Sequence, residues 1–213
     1  MTLNSETTGN APKSQMLVEK NIEEIETKKT NGSVWLEKKT FRVALIGIFT
    51  AVTIVLGYLL VEIPNIEVFT MMIFLSGFIM SKKEGAIIGL LSAAIFTFFN
   101  PFSPSPPLLF VYQLFHYSMT GVLGGFTRDF LRNKEFFKPT EDLYIFRIIF
   151  LFGLLGAIIT LIFDIITNLI GLLVGFPINI LTVLFAAVHL LGNTLVFVFL
   201  LPGLIQLIMK LLD

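Results

Sequence analysis

After its first forty residues the chain alternates long apolar stretches with short polar breaks. A helix needs about 20 apolar residues to cross the hydrocarbon of a bilayer. On that measure six spans are predicted: Phe41–Leu60, Val68–Met80, Gly85–Phe99, Leu108–Phe126, Ile145–Val174 and Ile178–Leu201, with an amphipathic tail running on to Leu212. The second and third hold only 13–15 clearly apolar residues. They are expected to be tilted, shielded by neighbours or extended into the loops. Residues 1–39 are polar, lack the apolar stretch of a cleavable signal peptide and read as a disordered cytosolic tail. The expected fold is therefore all-α: a polytopic membrane domain over residues 40–213 behind a soluble tail.

Composition sharpens this. The chain is 55% hydrophobic, contains 23 Phe, and only 14% of it is charged, against about a quarter in soluble domains. It has no cysteine, which removes disulfide and thiolate chemistry. Net charge is zero, but the 15 Lys and Arg residues are unevenly spread. They cluster before span one (Lys38, Lys39, Arg42), between spans two and three (Lys82, Lys83), between four and five (Arg128, Arg132, Lys134, Lys138, Arg147) and at Lys210. The alternate loops, VEIPNIE, NPFSPSPP and GFPIN, contain none. By the positive-inside rule both termini are cytoplasmic and the Pro-rich loops face out, in a cell membrane. Proline lacks a donor and fixes φ, so NPFSPSPP is expected to form a stiff outer rim or a simple tight connection.

Few polar side chains remain at depth. Span four carries Tyr112, Gln113 and His116; span five carries Asp164, Thr167 and Asn168; span six carries His189, Asn193 and Thr194. Asn100 closes span three, and Glu62, Asn65 and Glu67 sit in the first outer loop. Tyr112 and His116, Asp164 and Asn168, and His189 and Asn193 are each four apart, so each pair shares a helix face. At about 1.5 Å per residue, His116, Asp164 and His189 lie roughly 12–16 Å below the outer surface. The pattern predicts an outward-opening polar cavity between spans four, five and six. The plainer reading is interhelical hydrogen bonding, worth on the order of 0.6 kcal/mol per contact. An ionisable group at depth costs several kcal/mol and is a functional candidate by default, which favours Asp164 as a binding residue. Near the cytoplasmic end of span one, Ala44, Gly47 and Ala51 make a small-residue face that either packs within the chain or docks a partner helix.

The sequence has no P-loop, no HExxH pattern, no serine-nucleophile motif, no arginine gating series and no inverted repeat. Six spans with one outward cavity and no ATPase of their own suit a substrate-capture subunit. Two alternatives stand beside it. One is an intramembrane enzyme using Asp164, His116 and His189 as an acid–base set or as metal ligands; the other is a membrane scaffold protein.

The run from PNIEVFTMMIFLSGFIMSKKEGAIIGLL to HYSMTGVLGG resembles the middle of the substrate-binding S components of energy-coupling factor (ECF) transporters. The features are Pro64–Asn65 ending the first loop, a basic turn, Gly85-x-x-x-Gly89, a Pro-containing outer loop, the aromatic–Gln pair Tyr112–Gln113 and a Gly-rich end to span four. FDxxTN at Asp164–Asn168 and HxxGN at His189–Asn193 are similar to the same group, so that the likeness covers about residues 40–210. The resemblance implies a six-helix importer subunit that is no enzyme and binds a vitamin or related micronutrient near the outer face. It implies partners, namely a transmembrane coupling subunit and cytoplasmic ATPases, which alone use ATP, with no covalently bound cofactor, no metal and no nucleic acid. Its binding residues would be Asp164, Asn168, His116, Gln113, Tyr112, His189, Asn193, Asn65, Glu67 and Asn100. Docking would use an Ala-xxx-Ala face, for which this chain offers Ala44, Gly47 and Ala51, with Gly47–Ala51 the pair at the right spacing. No Lys or Arg lies at cavity depth, so a neutral or cationic ligand is favoured over an anion. The only Trp, Trp35, lies in the tail, which weakens a thiamine-like stacking site. The likeness leans to cobalamin or a precursor, with His116 or His189 facing the cobalt or an amide edge.

Overall fold

A computed structural model of the chain describes residues 38–60, 68–100 and 105–212. Residues 1–37, expected to form the tail, and Glu62, Asn65 and Glu67, expected in the first outer loop, lie outside the described residues. The described chain forms seven helices: α1 (Lys39–Leu60), α2 (Phe69–Ile79), α3 (Lys82–Phe98), α4 (Pro107–Arg132), α5 (Phe146–Leu173), α6 (Ile180–Phe199) and α7 (Leu201–Leu212). Three stretches are long and apolar enough to cross a membrane: Lys39–Leu60, Phe146–Leu173 and the 33 residues of Ile180–Leu212.

The short second span has a physical explanation. All eleven residues of α2 are buried. A helix that is apolar all round belongs in a core, and α2 is the axis around which the others pack. Phe74 meets Phe152 of α5 and Phe197 of α6 edge-on, and Phe78 meets Phe152 and Phe137. Neighbouring helices thus shield α2 from lipid.

Helices α2, α3 and α4 approach to backbone contact through glycine. A Cβ at Gly77 would overlap the Gly121 carbonyl, and one at Gly121 would overlap the Gly85 backbone. Only glycine permits this approach, which in lipid maximises dispersion contact between helices.

The helix bounds differ from the sequence expectation at the basic ends. Lys82 and Lys83 open α3 rather than forming a loop before it, and α4 runs on to Arg132. Both extensions are explained by pairing: Lys82 Nζ lies 2.8 Å from Asp129, and Arg128 donates to the Met80 carbonyl at 2.7 Å. These contacts, with the Arg42–Glu84 ion pair, gather the basic ends of α1, α3 and α4 at one end of the bundle.

The amphipathic tail is a separate helix. Pro202 has no N–H to donate to the Val198 carbonyl, and the chain breaks at Leu200 between α6 and α7. Tyr144 donates to the adjacent Phe199 carbonyl at 2.7 Å. Leu201, Pro202 and Ile205 of α7 are buried, while Leu207 and Leu211 face outward.

Candidate functional site

Helices α5 and α6 are joined by a tight turn in which Gly175 has φ +92°, a left-handed conformation natural to glycine. Asn179 caps α6 reciprocally with Thr182. The result is an antiparallel hairpin whose residues face each other at equal distances from residues 176 and 177. Gly156 meets Phe197, Thr160 meets Asn193 and Asp164 meets His189. These are successive levels four residues apart, so the polar stripes of the two helices coincide.

Side-chain hydrogen bonds along this seam run outward in both directions from the Asn193 amide. The Thr160 hydroxyl donates to the Gly156 carbonyl at 2.9 Å. Its oxygen therefore accepts, at 2.9 Å, from the Asn193 amide nitrogen. The same nitrogen lies 3.3 Å from His189 Nε2. That nitrogen then accepts, and His189 Nδ1 donates to Asp164 Oδ1 at 2.8 Å. The ring tautomer is assigned from this network. Thr160 and Asn193 are fully buried, and the Asp164 and His189 side chains are 14% and 12% exposed.

Two acceptors and a hydroxyl are left over. Asp164 Oδ2, Asn193 Oδ1 and Thr167 Oγ1 are buried without a hydrogen-bond partner among the described residues. Each such atom costs about 1–3 kcal/mol. A ligand that donates hydrogen bonds there would offset that cost.

The third polar stripe reaches the same place through an aromatic ring. Phe163, one residue before Asp164, lies 5.0 Å from His116, 5.7 Å from Tyr117 and 6.1 Å from both Tyr112 and His189. Tyr112 stacks on it at 28°. The Tyr112 hydroxyl donates to the Ile162 carbonyl at 3.2 Å and lies 3.3 Å from His116 Nδ1. Tyr112, His116, Asp164, His189 and Asn193 are therefore brought together around Phe163.

Other expected residues are placed differently. Asn168 turns back on its own helix and donates to the Asp164 backbone carbonyl at 2.8 Å. Its amide is committed there because a side chain at i+4 reaches that carbonyl without leaving the helix. Gln113 accepts from Ser105 at 3.0 Å, near the start of α4. Asn100 lies just past the end of α3. Asn65 and Glu67 fall outside the described residues. Ala44, Gly47 and Ala51 lie exposed on α1, and a Cβ on Gly47 would meet nothing within 4 Å. Among the described residues no group of three His, Asp or Glu gathers to hold a metal, and the Phe163 ring contacts both His116 and His189 where a shared ion would need open space.

Sequence reasoning missed Thr160 and Phe163. Thr160 was within reach: it continues the Asp164–Asn168 stripe by one turn. Phe163 opens the FDxxTN run, but as one of 23 phenylalanines it was not singled out as a site residue.

No curated protein and no solved structure matches the chain. A family model described as "ECF-type riboflavin transporter, S component" matches residues 37–204. Such subunits are transporter components rather than enzymes and work with a membrane coupling subunit and ATPases. With the helical membrane domain and the site laid out above, the chain belongs to the family of ECF-type riboflavin transporter S components.

Proposed function

We propose that the protein captures riboflavin, or a closely related neutral flavin, at the cluster around Phe163 and delivers it inward with its coupling subunit and ATPases. The observation that carries this reading is the pairing of unused buried acceptors, Asp164 Oδ2 and Asn193 Oδ1, with the aromatic group Tyr112, His116, Tyr117 and Phe163. A flavin presents a flat aromatic ring system, an imide N–H and a chain of hydroxyls. Rings suit aromatic neighbours, and donors suit acceptor-only atoms. Riboflavin is uncharged, in keeping with the absence of Lys and Arg along the apolar parts of α4, α5 and α6. The family likeness moves the preferred cargo from a corrinoid to a flavin. Gln113 and Asn100 are assigned to the rim of the same site, Asn168 supports it from α5, and Asn65 and Glu67, outside the described residues, are further candidates for binding the cargo.

The same reading makes α1 to α6 the six spans, with both termini cytoplasmic. The basic ends of α1, α3 and α4 lie together, as the positive-inside rule requires of alternating spans. The exposed Ala44, Gly47 and Ala51 face is the docking surface for the coupling subunit.

The test is to purify the protein from its native membrane in mild detergent, denature it and identify the released small molecules by mass spectrometry. Stoichiometric riboflavin supports the assignment. A corrinoid released instead, or no flavin together with no quenching of riboflavin fluorescence by the emptied protein, overturns it.

A further inference from the structure

The Glu84 carboxylate is buried, with the residue only 7% exposed, at a place where the binding site makes no use of it. It pairs with the Arg42 guanidinium of α1 and accepts a hydrogen bond from Ser81. A carboxylate is buried only when charge and hydrogen bonds compensate it, so Arg42 is not a casual surface partner. At about 100° per residue, Ala44, Gly47 and Ala51 lie about 140–200° around α1 from Arg42. The ion pair therefore grips α1 from the side opposite its exposed small-residue face.

Apolar packing orients α1, with Phe49 buried in the core and Leu45, Ile46 and Leu56 against it, and Arg42–Glu84 adds the charged contact at its basic end. Its buried hydroxyls, Thr50 and Thr53, have no hydrogen-bond partner among the described residues, and neither does Ser92 of α3. The middle of the α1–α3 contact is thus without a polar lock. At the far end Tyr58 reaches the Ile95 and Phe96 carbonyls at 3.3 and 3.4 Å, a weak contact to neutral acceptors. Glycine at position 57 lets α1 lean on the rings of Phe69 and Phe96, an apolar contact at the end of the helix away from Arg42.

We infer that Arg42–Glu84 is a positioning clamp that, with this packing, sets the rotation of α1 and so presents Ala44, Gly47 and Ala51 to the coupling subunit. This rests on the α1 docking reading given above. Glu84 and Arg42 touch neither cargo nor nucleotide; they act through α1.

The experiment uses the full complex in proteoliposomes, with riboflavin as the probe. Three readouts are taken: riboflavin affinity of the S component alone, its co-purification with the coupling subunit, and ATP-driven uptake. Glu84→Gln and Arg42→Gln are expected to leave riboflavin affinity within about twofold, while uptake and co-purification fall at least tenfold. The exchanged pair Arg42→Glu with Glu84→Arg is expected to recover a substantial part of both. Uptake unchanged in both single variants overturns the clamp, as does a parallel loss of riboflavin affinity, which would signal a general folding defect. Gly47→Trp separates the inference from the reading beneath it. If Gly47→Trp blocks uptake and the clamp variants do not, the clamp alone fails. If Gly47→Trp leaves uptake intact, the α1 docking surface fails and the clamp's role falls with it.

Discussion

Asp164 Oδ1 and His189 Nδ1 lie 2.8 Å apart across the α5–α6 hairpin, and the other carboxylate oxygen, Oδ2, is buried without a partner among the described residues. In the proposed site one oxygen is committed to structure and the other is left for cargo. A charge-assisted hydrogen bond is worth about 1.5–3 kcal/mol. Asp164→Asn keeps the shape and removes the charge, and is expected to weaken riboflavin binding by roughly tenfold to a hundredfold with the protein still folded. Fluorescence titration measures this. Unchanged affinity would reduce Asp164 to a helix-to-helix contact.

His189 tests whether that oxygen is held in place by its partner. His189→Gln can still donate to Asp164, whereas His189→Leu cannot. The expected order of riboflavin affinity is wild type, then His189→Gln, then His189→Leu, with at least tenfold between the first and the last. Equal loss in both variants would mean that the imidazole itself contacts the ligand rather than steering Asp164.

Part of this seam was legible in the sequence. Fours along α5 and fours along α6 gave two stripes, but that Asp164 meets His189 depends on the register of the hairpin, which the spacing within each helix does not fix. The role of Asn168 was not legible, because a polar side chain at i+4 can either face a cavity or fold back on its own backbone, and spacing does not choose between them. The length of α2 looked like a weakness in the span count. Its cause, complete burial against Phe152, Phe197 and Gly121, depends on contacts distant in sequence. The small-residue signal was split in the same way. Gly47 faces outward and Gly57 faces the rings of Phe69 and Phe96, yet both are glycines on one apolar helix.

Glycines of the two kinds should respond oppositely to the same change. Gly121→Ala places a methyl against the Gly85 backbone, and overpacking of that sort costs about 1–3 kcal/mol or more. Gly47→Ala has open space and gains helix propensity of up to about 1 kcal/mol. Thermal unfolding of the isolated subunit in detergent should show a lowered midpoint for Gly121→Ala and an unchanged or raised one for Gly47→Ala. A lowered midpoint for Gly47→Ala would mean that α1 is packed more tightly than its open flank indicates.

Acid should weaken the basic end of the bundle. Asp129, beyond the apolar part of α4, has its carboxyl pKa lowered, chiefly by the hydrogen bond from Lys82, against an opposing effect of burial that ranks next, and further by Arg128. A carboxylate whose folded pKa lies below its unfolded value of about 3.9 adds stability that is fully present above that value and is lost as pH falls through the folded one. The Asp129 side chain is 42% exposed, so solvent screens the pair and the effect is modest. Asp129→Asn should lower the unfolding midpoint slightly at pH 7 and flatten its fall as pH drops below about 4 relative to wild type. Parallel midpoint curves for the two proteins would show that the Lys82–Asp129 contact holds the start of α3 without contributing to acid sensitivity.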